Sequence, residues 1–289
     1  MSRNTIRDIQ RMKKSGTPIT MITAYDYTAA RLIDEAGVPL ILVGDSIGQT
    51  TLGYENTIPV TVDDIVSATA AVIRGNRNSF VVADMPFMSY QASQEDALRT
   101  AGRLLKEGGA QAVKLEGGAP VIETVRAITE AGVACMGHLG LTPQSVNQLG
   151  GYRVQGRDED GAHQIIQDAL ALQDAGGFSV VLELVPTELA AEITEALDIP
   201  TIGIGAGPEC DGQVQVFHDI MGLSLDFTPR HARKYAQVGD VIIDALGRYV
   251  DEVEKREFPT EAESVRSSGS DGRPQTRGNV TELDVASGN

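Results

Sequence analysis

Four acidic side chains stand where a short apolar run of the sequence ends. The four segments are VGDS with Asp45, VAD with Asp84, VKLE with Glu116 and VLELVP with Glu183. Short runs of branched apolar residues that stop at Gly, Pro or Ser are typical of strands buried in a parallel sheet. If the carboxyl ends of these strands meet on one rim of a barrel, the four carboxylates form a metal site with a base beside it.

Alternation along the strands predicts which way these side chains point. Lys114 and Glu116 share one face of their strand, whereas Val113 and Leu115 share the other. The apolar pair then packs on the surrounding helices, the charged pair points into the barrel mouth, and the same parity turns Glu183 inward. Charges inside a barrel are costly unless they are paired or bind a metal. The alternatives to a metal site are therefore a structural Lys114–Glu116 ion pair, or carboxylates that cap helices.

The residue types favour Mg²⁺ and an anionic substrate. Asp45 and Asp84 are hard oxygen ligands, and the chain has no His-rich or Cys-rich zinc spacing. Ser46 lies in a turn where backbone N–H groups reach an anion, although a plain helix cap is the alternative. Lys114 is expected to stay protonated and to bind a carboxylate or an enolate oxygen, because neighbouring carboxylates disfavour a Schiff-base role. His138 is a further candidate that orients a substrate oxygen or a carboxylate, and a structural hydrogen-bonding role fits it equally well.

The elements that must position these residues form a repeating pattern of strands and helices. Eight strand-helix units in about 250 residues predict a single (β/α)8 TIM barrel of the α/β class, with a doubly wound open sheet as the main competitor. The seventh crossover, 207–213, is too short for a full helix, and the first ten residues are expected to plug the barrel bottom. Helix N-caps are predicted at Thr61, Ser93 and Thr187. Strands are predicted at 19–24, 40–44, 80–84, 112–116, 134–138, 179–184, 201–205 and 214–217, and helices at 62–74, 93–107, 119–130, 161–175 and 187–196.

The composition excludes several classes of protein. Asp and Glu total 40 against 24 Lys and Arg, which gives a formal net charge of −16, so duplex nucleic acid is repelled. No apolar run approaches the roughly 20 residues of a membrane helix, and the charged first residues do not form a secretory signal, so we expect no membrane partner and a cytoplasmic location. Scarce lysine with excess acid suggests adaptation to high intracellular salt, although acidity that only supports solubility is the alternative.

The composition changes near Pro259. From there the chain is rich in Ser, Gly and charge and has almost no large apolar residues. Such a segment cannot offset the entropy of ordering by burial. We therefore expect a catalytic barrel domain at 1–258 and a disordered tail at 259–289.

The motifs together resemble the ketopantoate hydroxymethyltransferase family, also called 3-methyl-2-oxobutanoate hydroxymethyltransferase. The resemblance covers about 19–235 in the family's order and spacing. The matching stretches are TAYDYTAARLIDEAG, LVGDSIG, ADMPFMSY, VKLEGG, GHLGLTPQSVNQLGGYRVQGR, VLELVP and IGIGAG.

This resemblance implies a (β/α)8 barrel that uses Mg²⁺ and 5,10-methylenetetrahydrofolate as one-carbon donor. It implies 3-methyl-2-oxobutanoate as substrate, 2-dehydropantoate as product, and a homo-oligomer that is often a decamer. The resemblance also assigns roles by matching position. Asp45, Asp84 and Glu116 match metal-site residues; Asp45, Ser46, Asp84 and Lys114 match substrate-binding residues; Glu183 matches the proton acceptor, and His138 the active-site histidine.

Two rival hypotheses remain open from the residues themselves. The first is another Mg²⁺-dependent barrel acting on 2-oxo acids, such as an isocitrate-lyase-like C–C lyase, which also places carboxylates at strand ends. Such enzymes typically rely on a catalytic Cys in a loop, and neither Cys135 nor Cys210 lies in an evident one. The second is a barrel that only binds a metabolite or serves as a scaffold.

Overall fold

A closed barrel of eight parallel strands forms the centre of the molecule in a computed structural model that describes residues 3–225 and 229–266. Each strand pairs with the next along the chain, and the barrel closes where the first strand pairs with the eighth. The predicted (β/α)8 barrel is therefore confirmed, and the open sheet is excluded. The strands are Ile19–Thr23 (β1), Leu40–Val43 (β2), Phe80–Asp84 (β3), Ala112–Lys114 (β4), Ala134–Gly140 (β5), Ser179–Glu183 (β6), Thr201–Ile204 (β7) and Gly212–Gln215 (β8).

Helices follow most strands, as the sequence pattern predicts. The connection from β7 to β8 contains none, which confirms that this crossover is too short. The helices in the described part of the chain are Ile6–Ser15 (α1), Tyr27–Glu35 (α2), Ile47–Thr50 (α3), Val62–Gly75 (α4), Gln94–Lys106 (α5), Ile122–Glu130 (α6), Val146–Leu149 (α7), Glu159–Asp174 (α8), Thr187–Ala196 (α9), Phe217–Ile220 (α10) and Val238–Glu254 (α11).

Two of the three predicted helix caps are confirmed. The Thr61 hydroxyl accepts from the amide of Asp64, and the Ser93 hydroxyl accepts from the amide of Asp96. The prediction at Thr187 is wrong, because Pro186 holds the cap position with ψ 143° and the helix begins after it. Proline fixes only φ, so it can take the extended ψ that a cap residue needs.

Helix α1 covers the amino end of the barrel. Its Ile9 is fully buried in the cluster of apolar side chains that fills the barrel interior. Just before the helix, Asn4 donates to the carbonyl of Pro39, and Gln111 donates to the carbonyl of Asn4, which ties the segment to the starts of β2 and β4. The predicted plug at the barrel bottom is confirmed. With the lower end filled, the carboxyl ends of the strands are left to form the site.

Strand parity separates two apolar layers. On β4, Ala112 belongs to the barrel interior, whereas Val113 belongs to the layer between sheet and helices. On β6, Val181 is interior and its neighbours Val180 and Leu182 are outside. Because the strands are buried on both faces, both faces are apolar, and the sequence therefore shows continuous apolar runs. They also mean that the inward positions at the carboxyl ends carry the polar side chains.

The chain divides into two compact units, Met1–Gly239 and Asp240–Asn289. The first holds the whole barrel, and most of α11 lies in the second. The described residues include no helix long and apolar enough to cross a membrane. The domain boundary at 258 stays a prediction, and most of the predicted tail, from residue 267 onward, lies outside the described residues.

Candidate active site

Three strand ends bring Asp45, Asp84 and Lys114 into contact. Asp45 follows β2, Asp84 ends β3 and Lys114 ends β4, and all three are buried. The backbone amide of Asp45 donates to Asp84 Oδ2 at 3.1 Å, and Lys114 Nζ lies 2.7 Å from Asp84 Oδ1. Glu116 lies two residues past β4, with its Oε1 3.9 Å from Lys114 Nζ. The residues that the sequence places on one rim therefore do share a site, and the Lys114–Glu116 pair is only its longer ion pair.

His138 on β5 links Glu116 to Glu183. Its Nδ1 lies 3.3 Å from Glu116 Oε1, and its Nε2 lies 3.3 Å from Glu183 Oε2, outside hydrogen-bonding direction. The Glu183 side chain is 14% exposed, whereas those of Glu116 and His138 are 3–4% exposed. Glu183 is thus the carboxylate of the group nearest to solvent. Leu184, which follows it, has φ 44°, a conformation that costs a branched residue energy and that occurs at functional sites.

Burial makes the charged forms of the carboxylates after β2 and at the end of β3 costly. Burial, followed by the charges of Asp84 and Glu116, raises the pKa of Asp45 well above its ordinary value. Burial also raises the pKa of Asp84, although Lys114 acts against it. Burial alone would raise the pKa of Glu116 as well, but the charge and hydrogen bond of His138, with Lys114, lower it. The excess negative charge therefore lies between Asp45 and Asp84.

The surrounding carboxylates raise the pKa values of both basic groups. Burial would lower the pKa of Lys114, but Asp84, Glu116 and Asp45 together raise it. Burial and Lys114 also act to lower the pKa of His138, but Glu116 and Glu183 raise it to about 9. A cationic Lys114 can hold an anion but cannot serve as a Schiff-base nucleophile without losing its proton.

The donor set at Asp45 and Asp84 fits Mg²⁺. Asp45 and Asp84 are adjacent buried carboxylates with raised pKa values, and a divalent cation stabilises such a pair. Within residues 3–225 and 229–266, no three His, Cys, Asp or Glu side chains are already arranged to hold an ion. Mg²⁺ does not need such a cage, because it binds through one or two carboxylates and keeps its remaining positions for water and substrate.

The Ser46 hydroxyl points to Tyr25 rather than capping a helix. Ser46 precedes α3 but makes no side-chain cap bond, so the alternative role as a plain cap is excluded. Its Oγ lies 2.7 Å from the hydroxyl of Tyr25, which follows β1. Burial, partly opposed by hydrogen bonds from Ser46, Thr23 and Thr50, raises the pKa of Tyr25 to about 12. The neutral phenol can therefore donate to Ser46 and leave the serine proton free for a ligand.

Tyr25, Gln144 and Tyr90 were not among the expected site residues. Gln144 donates through Nε2 to Asp45 Oδ2 at 2.9 Å, and Tyr90 donates to Gln144 Oε1 at 2.7 Å. Both Tyr25 and Gln144 lie inside the motifs that carry the family resemblance, directly after β1 and shortly after β5. Their position just past a strand end is the signal that could have identified them, since that rim carries the site in such barrels.

A (β/α)8 barrel with acid, base and cation at the carboxyl rim defines an enzyme of the TIM-barrel class. The model of the family described as ketopantoate hydroxymethyltransferase matches residues 3–261. The chain belongs to this family, which confirms the resemblance and the expected transferase class. The lyase and scaffold hypotheses are therefore not supported.

Curated relatives agree with this placement, and solved structures share the fold. A 3-methyl-2-oxobutanoate hydroxymethyltransferase from Roseiflexus sp. is 58% identical over 91% of this chain and 95% of its own length. One from Acetivibrio thermocellus is 57% identical over 88% and 90%. A solved phosphoenolpyruvate phosphomutase from Streptomyces platensis covers 88% of both chains with a TM-score of 0.58 at 13% identity. A solved phosphonopyruvate hydrolase covers 92% of both chains with a TM-score of 0.58 at 10% identity, so these two show the shared fold alone.

Proposed function

We propose that this protein transfers a hydroxymethyl group from 5,10-methylenetetrahydrofolate to 3-methyl-2-oxobutanoate and so forms 2-dehydropantoate. Family membership supports the reaction class. The observation that carries the proposal is the convergence of Asp45, Asp84, Lys114, His138 and Glu183 at one rim of the barrel. This arrangement supplies what enolisation of a 2-oxo acid needs: cationic groups for the developing oxyanion and a carboxylate base.

Asp45 and Asp84 are proposed to hold Mg²⁺, and their adjacent positions and raised pKa values support that role. When bound, the ion would withdraw charge from the keto group of the substrate and make its C3 proton more acidic. Glu116 remains a proposed metal-site residue. Because its Oε2 accepts from the Gln144 amide and its Oε1 faces His138, its own oxygens are already engaged, which supports an indirect role.

Lys114 and Ser46 are proposed to bind the keto acid. Buried Lys114 is held in its charged form and is a donor for a carboxylate or an enolate oxygen. Ser46 offers its hydroxyl, oriented by Tyr25. Lys114 Nζ lies 2.7 Å from Asp84 Oδ1, and Ser46 directly follows Asp45, so both groups adjoin the acidic pair.

Glu183 is proposed to take the C3 proton, because it is the carboxylate with most access to the barrel mouth. His138 Nε2 lies 3.3 Å from Glu183 Oε2. A base needs to lie within hydrogen-bond reach of the proton it removes, and the partial exposure of Glu183 leaves it accessible to a substrate at the rim. The donor-side residues stay unassigned. A cytoplasmic location and a homo-oligomer, often a decamer in the family, complete the proposal.

The decisive experiment separates enolisation from one-carbon transfer. Exchange of the C3 hydrogen of 3-methyl-2-oxobutanoate with deuterium is followed by NMR, with Mg²⁺ and without folate. Glu183→Gln is expected to slow exchange about 10²-fold or more, because it removes a general base. Glu188→Gln, an exposed glutamate in the first turn of α9, serves as the matched control and is expected to exchange at the wild-type rate.

Two results would count against the proposal. Exchange at the wild-type rate in Glu183→Gln would remove Glu183 from the base role. A wild-type protein that forms no 2-dehydropantoate when methylenetetrahydrofolate is added would overturn the overall reaction.

A further inference from the structure

One residue, Gln144, contacts groups at three strand ends. Its Nε2 donates to Asp45 Oδ2 at 2.9 Å and to the carbonyl of Met85 at 3.0 Å. Its backbone amide donates to Glu116 Oε2 at 3.0 Å. Gln144 is 3% exposed, so these contacts are made away from solvent. A single residue from the loop after β5 therefore contacts groups that follow β2, β3 and β4.

The surroundings of Gln144 allow only one orientation of its amide. Asp45 Oδ2 and the Met85 carbonyl only accept, so the NH₂ group must face them. On the other side, the Tyr90 hydroxyl accepts from the Glu116 amide at 3.0 Å and has its own proton for Gln144 Oε1 at 2.7 Å. A glutamate would place an oxygen against two acceptors, and an asparagine is one methylene shorter. The site is therefore matched to glutamine in both length and polarity.

Local sequence explains how Gln144 reaches this position. Thr142 is extended, and Pro143 opens a 3₁₀ turn over Pro143–Ser145. The amide of Gln144 lies in the first turn, where backbone N–H groups have no partner inside the helix. This amide is thus free to donate to Glu116, while the side chain extends toward Asp45.

We infer that Gln144 is a positioning residue: it holds one oxygen of Asp45, which would leave the other oxygen for the proposed ion, and it fixes Glu116 beside His138. This inference rests on the proposed function. Groups that hydrogen-bond to metal-binding side chains orient them, and their loss typically lowers metal affinity or activity about 10- to 100-fold. Gln144 does not touch the reacting atoms and acts only through the carboxylates.

The test compares two equivalent substitutions in the full-length protein. Gln144→Met keeps the length of the side chain and removes both hydrogen-bonding ends. Gln111→Met is the matched control, because the Gln111 side chain also bridges two segments, accepting from Val81 and donating to Asn4, but at the amino end of the barrel. Mg²⁺ affinity is measured by titration calorimetry in saturating 3-methyl-2-oxobutanoate, and thermal unfolding is measured without metal.

Gln144→Met is expected to raise the Kd for Mg²⁺ about 10- to 100-fold. Gln111→Met is expected to leave that Kd within about twofold, although it lowers thermal stability because two partly buried hydrogen bonds are lost. If both variants lose stability and both keep the wild-type Kd, Gln144 is merely structural and the inference is overturned. If Gln144→Met does not fold, Tyr90→Phe decides by the same measurement: at least a threefold rise in Kd supports the inference, and an unchanged Kd refutes it.

The outcome is distinguishable from failure of the proposed function. A wild-type protein that binds neither Mg²⁺ nor the keto acid would refute the proposed function itself. A wild-type protein that binds both, with Gln144→Met indistinguishable from it, would refute only the role of Gln144.

Discussion

Gly140 is the position where backbone geometry and catalysis are most tightly linked. It ends β5 with φ 87°, in register with Glu183 on β6. A Cβ there would lie 2.2 Å from the Glu183 carbonyl oxygen and 2.6 Å from Val185 Cγ1. Gly140→Ala therefore combines an unfavourable φ with an overlap against backbone, and the overlapped segment carries the proposed base.

Two other glycines separate these effects. Gly132 has φ 85°, but an added Cβ would meet nothing within 4 Å, so Gly132→Ala isolates the conformational cost. Gly102 lies inside α5 and also has nothing within 4 Å, so Gly102→Ala carries neither cost. We expect Gly102→Ala to stabilise by ~0.5–1 kcal/mol and Gly132→Ala to destabilise by ~1–2 kcal/mol. Gly140→Ala adds an overlap of ~1–3 kcal/mol, which makes its total about 2–5 kcal/mol.

The assay is urea unfolding followed by circular dichroism, with C3 deuterium exchange measured in parallel. If the slope of the unfolding free energy against urea concentration is the same for all variants, only stability has changed and not the compactness of the folded or unfolded state. Only Gly140→Ala is expected to slow exchange, because only there must the Glu183 backbone move. If Gly140→Ala is no less stable than Gly132→Ala, and exchanges at the wild-type rate, the close approach of β5 to β6 does not constrain the site and the reasoning is refuted.

Two further predictions concern polar groups outside the metal site. Asp34 accepts from the amides of Arg77, Asn78 and Ser79; burial acts to raise its pKa, but these bonds lower it. The stabilisation by Asp34 is therefore full above its unfolded-state pKa and is lost as pH falls through its folded-state pKa. Asp34→Asn should cost about 2–3 kcal/mol at neutral pH and should weaken the fall in stability at acid pH. A variant that loses stability at acid pH as steeply as the wild type would contradict this. Tyr25→Phe removes the hydroxyl beside Ser46 and should raise KM for the keto acid up to about tenfold with kcat nearly unchanged; steady-state kinetics that show a wild-type KM would exclude this positioning.

Local sequence was sufficient for the strands and for the carboxylates that end them. Buried parallel strands need apolar residues on both faces, so the runs before Asp45 and Asp84 identify themselves without any knowledge of the rest of the chain. Strand bounds were less accurate where the chain turns: β8 is Gly212–Gln215 rather than 214–217. The cap prediction at Thr187 failed for a related reason, since residue type alone does not show which of two neighbouring residues adopts the cap conformation.

The sequence by itself determined the barrel, its family and the set of charged residues at the rim. Strands buried on both faces read as continuous apolar runs, and a closed parallel barrel brings every strand's carboxyl end to one side. Only the tertiary structure decided which atoms meet. Asp45 and Gln144 are 99 residues apart, and their hydrogen bond depends on the path of the loop after β5. The unequal pKa values of Asp45 and Glu116 likewise arise from the partners around each one. Contacts between loops are set by packing of distant segments, and no local pattern of residues encodes them.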